Sequence, residues 1–210
     1  MFDLVKKLLI ARQLEMERGS IKVLKNRMTM FPSAFFAYLL KVSKDPIKMG
    51  KECYYAGKLT TYNHFTYLLE KEYGLVQHNL EKWMKEVAEL GGWGEFDIIN
   101  ANWDKKEAVI NIKNSPLSEF INKTTYSVDH VSRGATAGAI SLIFRTDVEA
   151  IETKCVSKGD IICEFIVKPK EKFSFKERLV KEQLYTDREL QKFGWLKIFR
   201  NNMKDVKKHV

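Results

Sequence analysis

Apolar and polar residues alternate on both sides of Gly19-Ser20, with Leu14 and Met16 before the pair and Ile21 and Val23 after it. Alternation about a glycine-containing turn predicts a β-hairpin. The period then lengthens. Pro32 and Ser33 open a helix with Phe35, Phe36, Leu39 and Leu40 as its buried stripe. Asp45-Pro46 marks a break and a new N-cap, from which a second, long helix runs to Glu72, with Gly74 as its stop. A third helix covers roughly 76–90, where Leu80, Trp83, Met84, Val87 and Leu90 recur at helical spacing.

Alternation returns after "GGWG". Phe96 and Ile98 precede a polar turn near Asp104-Lys105, and Val109, Ile110 and Ile112 follow it, which predicts a second hairpin. Residues 127–145 read as a helix dense in small side chains: Gly134, Ala135, Ala137, Gly138, Ala139 and Ser141. "VEAIETKCV" and "DIICEFIVKP" form a third hairpin about "SKGD", closed by Pro169. The remainder, 171–210, reads as helical with a break near Gly194. Antiparallel hairpins packed with a helical group define an α+β class rather than alternating α/β.

The 45% hydrophobic and 12% aromatic content supports a real core. No apolar run reaches the ~18 residues of a membrane span, and "MFDLVKKLLIARQ" has no signal-peptide cleavage pattern. Three cysteines do not make a secreted disulfide framework, so a reducing cytoplasm is expected. The net charge is +9, and residues 171–210 carry eleven Lys/Arg against six Asp/Glu. This basic tail suits either nucleic acid or an anionic surface, or a terminal helix docked by Phe193, Trp195, Leu196 and Phe199. There is no nucleophile elbow, P-loop, dinucleotide fingerprint or H-E-x-x-H.

The chemistry gathers in the third hairpin. A three-residue loop, Lys158-Gly159-Asp160, sets Cys155 opposite Cys163. Facing Cβ atoms lie ~4.5–5.5 Å apart, a separation that two thiolates on one zinc can span. Glu152 is a candidate third ligand, but residues three apart on a regular strand point to opposite faces. Glu152 and Cys155 can share an ion only if the strand is bulged or begins between them. The alternatives are two small buried thiols with a surface carboxylate, or a cross-strand disulfide.

"RGATAGAISLIFRTDVEAIETKCVSKGDIICEFIVKP" resembles the signature of the 4-vinyl reductase domain family, through Gly134, Gly138, Ser141, Glu152, Cys155, Gly159, Cys163 and Phe165. The resemblance covers about 127–169, within a ligand-binding domain expected over 1–170, with 171–210 as a basic helical extension. It implies a ligand-binding fold of the TRAPP-subunit and haem-NO-binding kind, similar to the sensor domains of phenol-responsive activators. A homodimer enclosing a small hydrophobic molecule is implied with it. It also implies zinc on Glu152, Cys155 and Cys163. The fourth position falls by register on Asp129, with His130 beside it as the better zinc ligand chemically. The small-residue helix would then serve either packing within one chain or contact between two. Phe35, Tyr54, Tyr62, Phe65 and Trp83 are the candidate pocket residues; a role for Cys53, His64 or His78 has less behind it. The expected function is a ligand-binding or sensory module with a structural zinc. The alternatives are a reductase-like enzyme acting on a hydrophobic substrate and a nucleic-acid-associated regulator working through the tail.

Overall fold

The computed structural model describes residues 14–23, 26–68, 77–195 and 197–198. The first hairpin forms as the alternation predicts, β1 (Leu14–Glu17) pairing β2 (Ser20–Val23), with Gly19 at φ 74° in the turn. A third strand, β3 (Asn26–Met28), extends it into a small antiparallel sheet. Helices α1 (Ala34–Val42), α2 (Pro46–Leu68) and α3 (Gln77–Leu90) follow. The expected end of α2 near Gly74 lies outside the described residues, as do the side chains of Leu80, Trp83 and His78 and the tail beyond Ile198. Helix α1 buries Ala37 and Leu40, not the stripe read from sequence: Phe35 is 43% exposed.

The second sheet carries the core. Strands β4 (Glu95–Asn102), β5 (Glu107–Lys113), β6 (Val148–Lys154) and β7 (Cys163–Pro169) are antiparallel, in the order β4-β5-β7-β6. Strands β5 and β7 alternate buried and part-exposed residues, so one face packs inward through Ile110, Ile112, Phe165 and Val167. Between β5 and β6 lie a short helix, α4 (Pro116–Phe120), which the sequence pattern does not reveal, and α5 (His130–Phe144).

Helix α5 is the small-residue helix, and its glycines are used inside the chain. A Cβ on Gly134 would overlap the Tyr54 carbonyl oxygen of α2, and one on Gly138 would overlap the Lys58 carbonyl oxygen. From the other side, a Cβ on Gly57 would stand 2.8 Å from the Val131 carbonyl oxygen. The two helices therefore meet backbone to backbone, a contact only residues without side-chain bulk allow. Lys58 is buried in the same seam, bound to Asp147 at 2.7 Å and to Glu149 at 3.0 Å. Tyr54 donates to Glu149 Oε2 at 2.5 Å.

Strand β6 is an edge strand, yet nearly all of it is buried. Buried backbone groups need partners, and side chains supply them. The Val148 N–H donates to Ser141 Oγ (3.1 Å) and the Ala150 N–H to the Tyr54 hydroxyl (2.9 Å). The Ala150 carbonyl accepts from Arg133 Nη1 (2.6 Å). Helices α6 (Arg178–Gln183) and α7 (Asp187–Lys192) cover this edge, burying Val180, Leu184, Tyr185 and Leu190. Tyr185 stacks on Tyr55 at 5.5 Å, and Trp195 Nε1 donates to Glu52 of α2 at 2.6 Å. Gly194 turns the chain at φ 79°.

Candidate metal centre

Cys155 and Cys163 meet where β6 and β7 end. The pairing Lys154↔Glu164 is the last on β6, and one step further in that register sets Cys155 opposite Cys163. The expected register holds, but the loop is wider than three residues. The chain leaves β6 at Cys155 and makes a 3₁₀ turn over Val156–Lys158, ending at Gly159 with φ 103°. Asp160 fixes this exit, its Oδ2 accepting from the Cys155 N–H at 2.8 Å. The Val156 N–H points at Cys163 Sγ, 3.4 Å away.

A β-bulge lies between Glu152 and Lys154. Thr153 is the extra residue, and its hydroxyl donates to the Glu164 carbonyl at 3.2 Å, occupying an acceptor at the irregularity. An inserted residue shifts the side-chain alternation by one, so Glu152 and Cys155 come to one face. One ligand atom each from Glu152, Cys155 and Cys163 lie within 4.8 Å of one another, and all three residues are buried.

Asp129, the residue before α5, borders the three. Its N–H donates to Glu152 Oε2 at 3.2 Å, and its Oδ1 accepts from Ser115 just before α4. His130 is placed differently. Its ring fills the space that a side chain at Gly50 of α2 would take, and its Nδ1 lies 3.4 Å from Arg133 Nη2. Burial, with the Arg133 charge added, holds His130 well below the usual histidine range, so the imidazole is neutral. Ser118 Oγ is 3.7 Å from Cys163 Sγ. Ser115, Ser118, Arg133 and Gln183 all surround the centre, and no motif in the sequence announces them.

The electrostatics are those of crowded acids. Burial pushes Glu152 well above the usual carboxylate range, and the Asp129 charge adds to it. Burial also raises Asp129. Hydrogen bonding between the thiols pulls Cys155 down to about 6 and pushes Cys163 far up. Glu152 Oε1 and Asp129 Oδ2 are buried with no hydrogen-bond partner. An unmet buried carboxylate oxygen costs about 1–3 kcal/mol or more. Two thiols and two such oxygens are the donor set a divalent ion of zinc type accepts, and an ion would offset the surplus negative charge. The residues present therefore fit a metal.

The five candidate pocket residues do not gather at this centre. Tyr54 and Tyr62 are buried on α2, Phe65 lies further along it, and Phe35 is largely exposed on α1. Trp83 lies outside the described side chains. A cleft beside the centre is lined by Ile47, Tyr126, Ser127, His130, Leu179 and Gln183. Its water-accessible volume, about 10 Å³, holds roughly one water. Cys53 is half-buried on α2, and its thiol is raised by burial.

The fold and centre define an α+β domain in which a thiol–carboxylate cluster joins a β-hairpin to the start of a glycine-packed helix. Comparison with known proteins gives this class a name: residues 108–169 match the 4-vinyl reductase domain, so the resemblance read from the sequence is shown. The chain is 32% identical over 69 residues to an uncharacterized protein of Methanocaldococcus jannaschii, MJ0150, a match covering 33% of this chain and 40% of that protein. It thus spans less than half the length of this relative. The fold is similar to the phenol-responsive sensory domain of the transcription activator PoxR, solved with phenol. That match has a TM-score of 0.69 and 16% identity, over 89% of this chain and 98% of that one. It is also similar to trafficking protein particle complex subunit 3 from Naegleria fowleri, solved covalently bound to palmitic acid. Here the TM-score is 0.51 at 19% identity, over 66% of this chain and 92% of that one. Among the described residues no helix is long and apolar enough to cross a membrane.

Proposed function

We propose that the protein is a small-molecule-binding, sensory module whose α5–β6–β7 corner is held by a structural zinc ion. Glu152, Cys155 and Cys163 would hold the metal, with Asp129 as the fourth ligand in preference to His130. The carrying observation is the buried cluster itself, in which two thiols share a dry space with two carboxylate oxygens that have no partner. Four protein ligands make a closed site, so the ion would supply cross-linking and not an activated water.

The ligand would be small and hydrophobic, as in the sensory domain and the trafficking subunit of the same fold. The apolar side chains of α1, α3 and β4 are only partly withdrawn from water, among them Phe36, Met84, Val87, Phe96 and Ile98. They are the proposed walls of its site. A cytoplasmic homodimer completes the proposal.

Native mass spectrometry of the purified chain, with thermal melts of the same sample, tests it. The expected outcome is a dimer with one zinc per chain and a melting temperature raised by phenolic or fatty-acyl compounds. A metal-free monomer indifferent to both ligand classes would overturn the proposal.

A further inference from the structure

Glu152 is held from two sides. Its carboxyl belongs to the centre, while its peptide group is clamped by a residue of the C-terminal segment. The Glu152 N–H donates to Gln183 Oε1 at 2.7 Å, and its carbonyl accepts from Gln183 Nε2 at 2.8 Å. A side-chain amide here occupies the place of a neighbouring strand, at the residue where the bulge begins. Gln183 is itself buried, and Arg133 Nη2 donates to its carbonyl at 3.2 Å. The guanidinium is buried as well, 4.1 Å from the Tyr54 ring centroid, and also holds Ala150 two residues upstream of Glu152.

We propose that Gln183 is a positioning residue for the metal centre, and that through it the docking of α6 and α7 is linked to metal occupancy. The inference rests on the zinc reading above. Fixing both hydrogen-bonding groups of one residue sets the backbone from which the Glu152 side chain leaves. A ligand carboxylate that binds an ion holds that backbone in return. Linkage is reciprocal, so an ion that favours the clamped backbone must favour the docked C-terminal segment to the same degree. The continuation of that segment is tied to α2. Tyr185 donates its N–H to the Tyr55 hydroxyl at 3.1 Å and its own hydroxyl to Glu52 at 2.9 Å. Occupancy of the centre is therefore expressed in the C-terminal helices that cover the sheet edge.

The test uses the full-length protein with Co(II) as a visible stand-in for zinc, comparing wild type with Gln183→Leu, which matches the size and lacks the amide. Partners that orient a metal ligand typically contribute ~10–100-fold in affinity. The expected result is Co(II) binding at least about tenfold weaker in Q183L, with the thiolate-to-cobalt absorption bands displaced. In the wild type, chelating the metal should speed amide hydrogen exchange in 178–192 and leave the β4–β5 hairpin unchanged. That second arm decides the matter if Q183L does not fold. Wild-type Co(II) affinity and spectrum in folded Q183L, or unchanged exchange in 178–192 on chelation, overturns the proposal while leaving the metal reading intact. A wild type that takes up no Co(II) overturns both.

Discussion

Replacing Gly134 with alanine tests the helix seam on which the centre is mounted. Mid-helix, alanine is worth about 1 kcal/mol over glycine, so propensity alone makes G134A stabilising. The structure reverses the sign. The new Cβ would overlap the Tyr54 carbonyl oxygen and stand 3.0 Å from the Lys58 nitrogen. Both obstacles are backbone, which cannot rotate aside as a side-chain tip can. Helix α2 must shift, and overpacking of this kind costs about 1–3 kcal/mol. The shift also strains the Tyr54 hydrogen bonds to Glu149 and Ala150, worth about 1 kcal/mol each, more for the charged one. The net expectation is a loss of about 2–4 kcal/mol, or roughly 4–16 °C in Tm for a chain of this size. Urea and thermal melts at two protein concentrations, differing widely, provide the assay. The loss should be the same at both. A variant as stable as wild type would refute the close approach, and a loss confined to the dilute sample would move these glycines to a contact between chains.

Glu152→Gln should weaken zinc binding by at least about tenfold, yet leave the metal-free protein as stable as wild type or up to ~1–3 kcal/mol more stable. It removes a buried ionisable group with an unmet oxygen, and paired denaturation curves with and without chelator report both effects. Metal affinity should fall as pH drops through about 6, where the Cys155 thiol takes up its proton. At a pH of about 7.5, binding should release at least one proton, that of Cys163, whose thiol is held far above its usual range. Isothermal titration in buffers of different ionisation enthalpy counts it. Lys58→Met leaves Glu149 buried without its ammonium partner and should cost about 3–5 kcal/mol. Adding Glu149→Gln should recover part of that loss in the same denaturation assay.

What is legible in the sequence is local. Alternation and turn residues locate the hairpins, and the register of the third brings the thiols together. The opposite-face problem of Glu152 and Cys155 is also visible, and its resolution by a bulge is one of the two routes the pattern allows. The remainder depends on tertiary contacts. Helix α1 reverses its expected stripe because α2 and α4 lie against the Ala37 and Leu40 side, a choice amphipathicity alone does not settle. The fourth ligand position offers Asp129 and His130 as neighbours in the chain. The structure separates them, one beside Glu152 and the other against Gly50. Gln183 stands in "LVKEQLY" with nothing to mark it, since its role comes from an edge strand 31 residues away in sequence.

The most direct test of the metal clamp is zinc-edge X-ray absorption on the purified chain. Glu152, Cys155, Cys163 and Asp129 predict two sulfurs at about 2.3 Å and oxygens at about 2.0–2.2 Å, without the multiple scattering of an imidazole. Zinc held only by nitrogen and oxygen, or a stable folded chain that takes up no zinc at all, would contradict it.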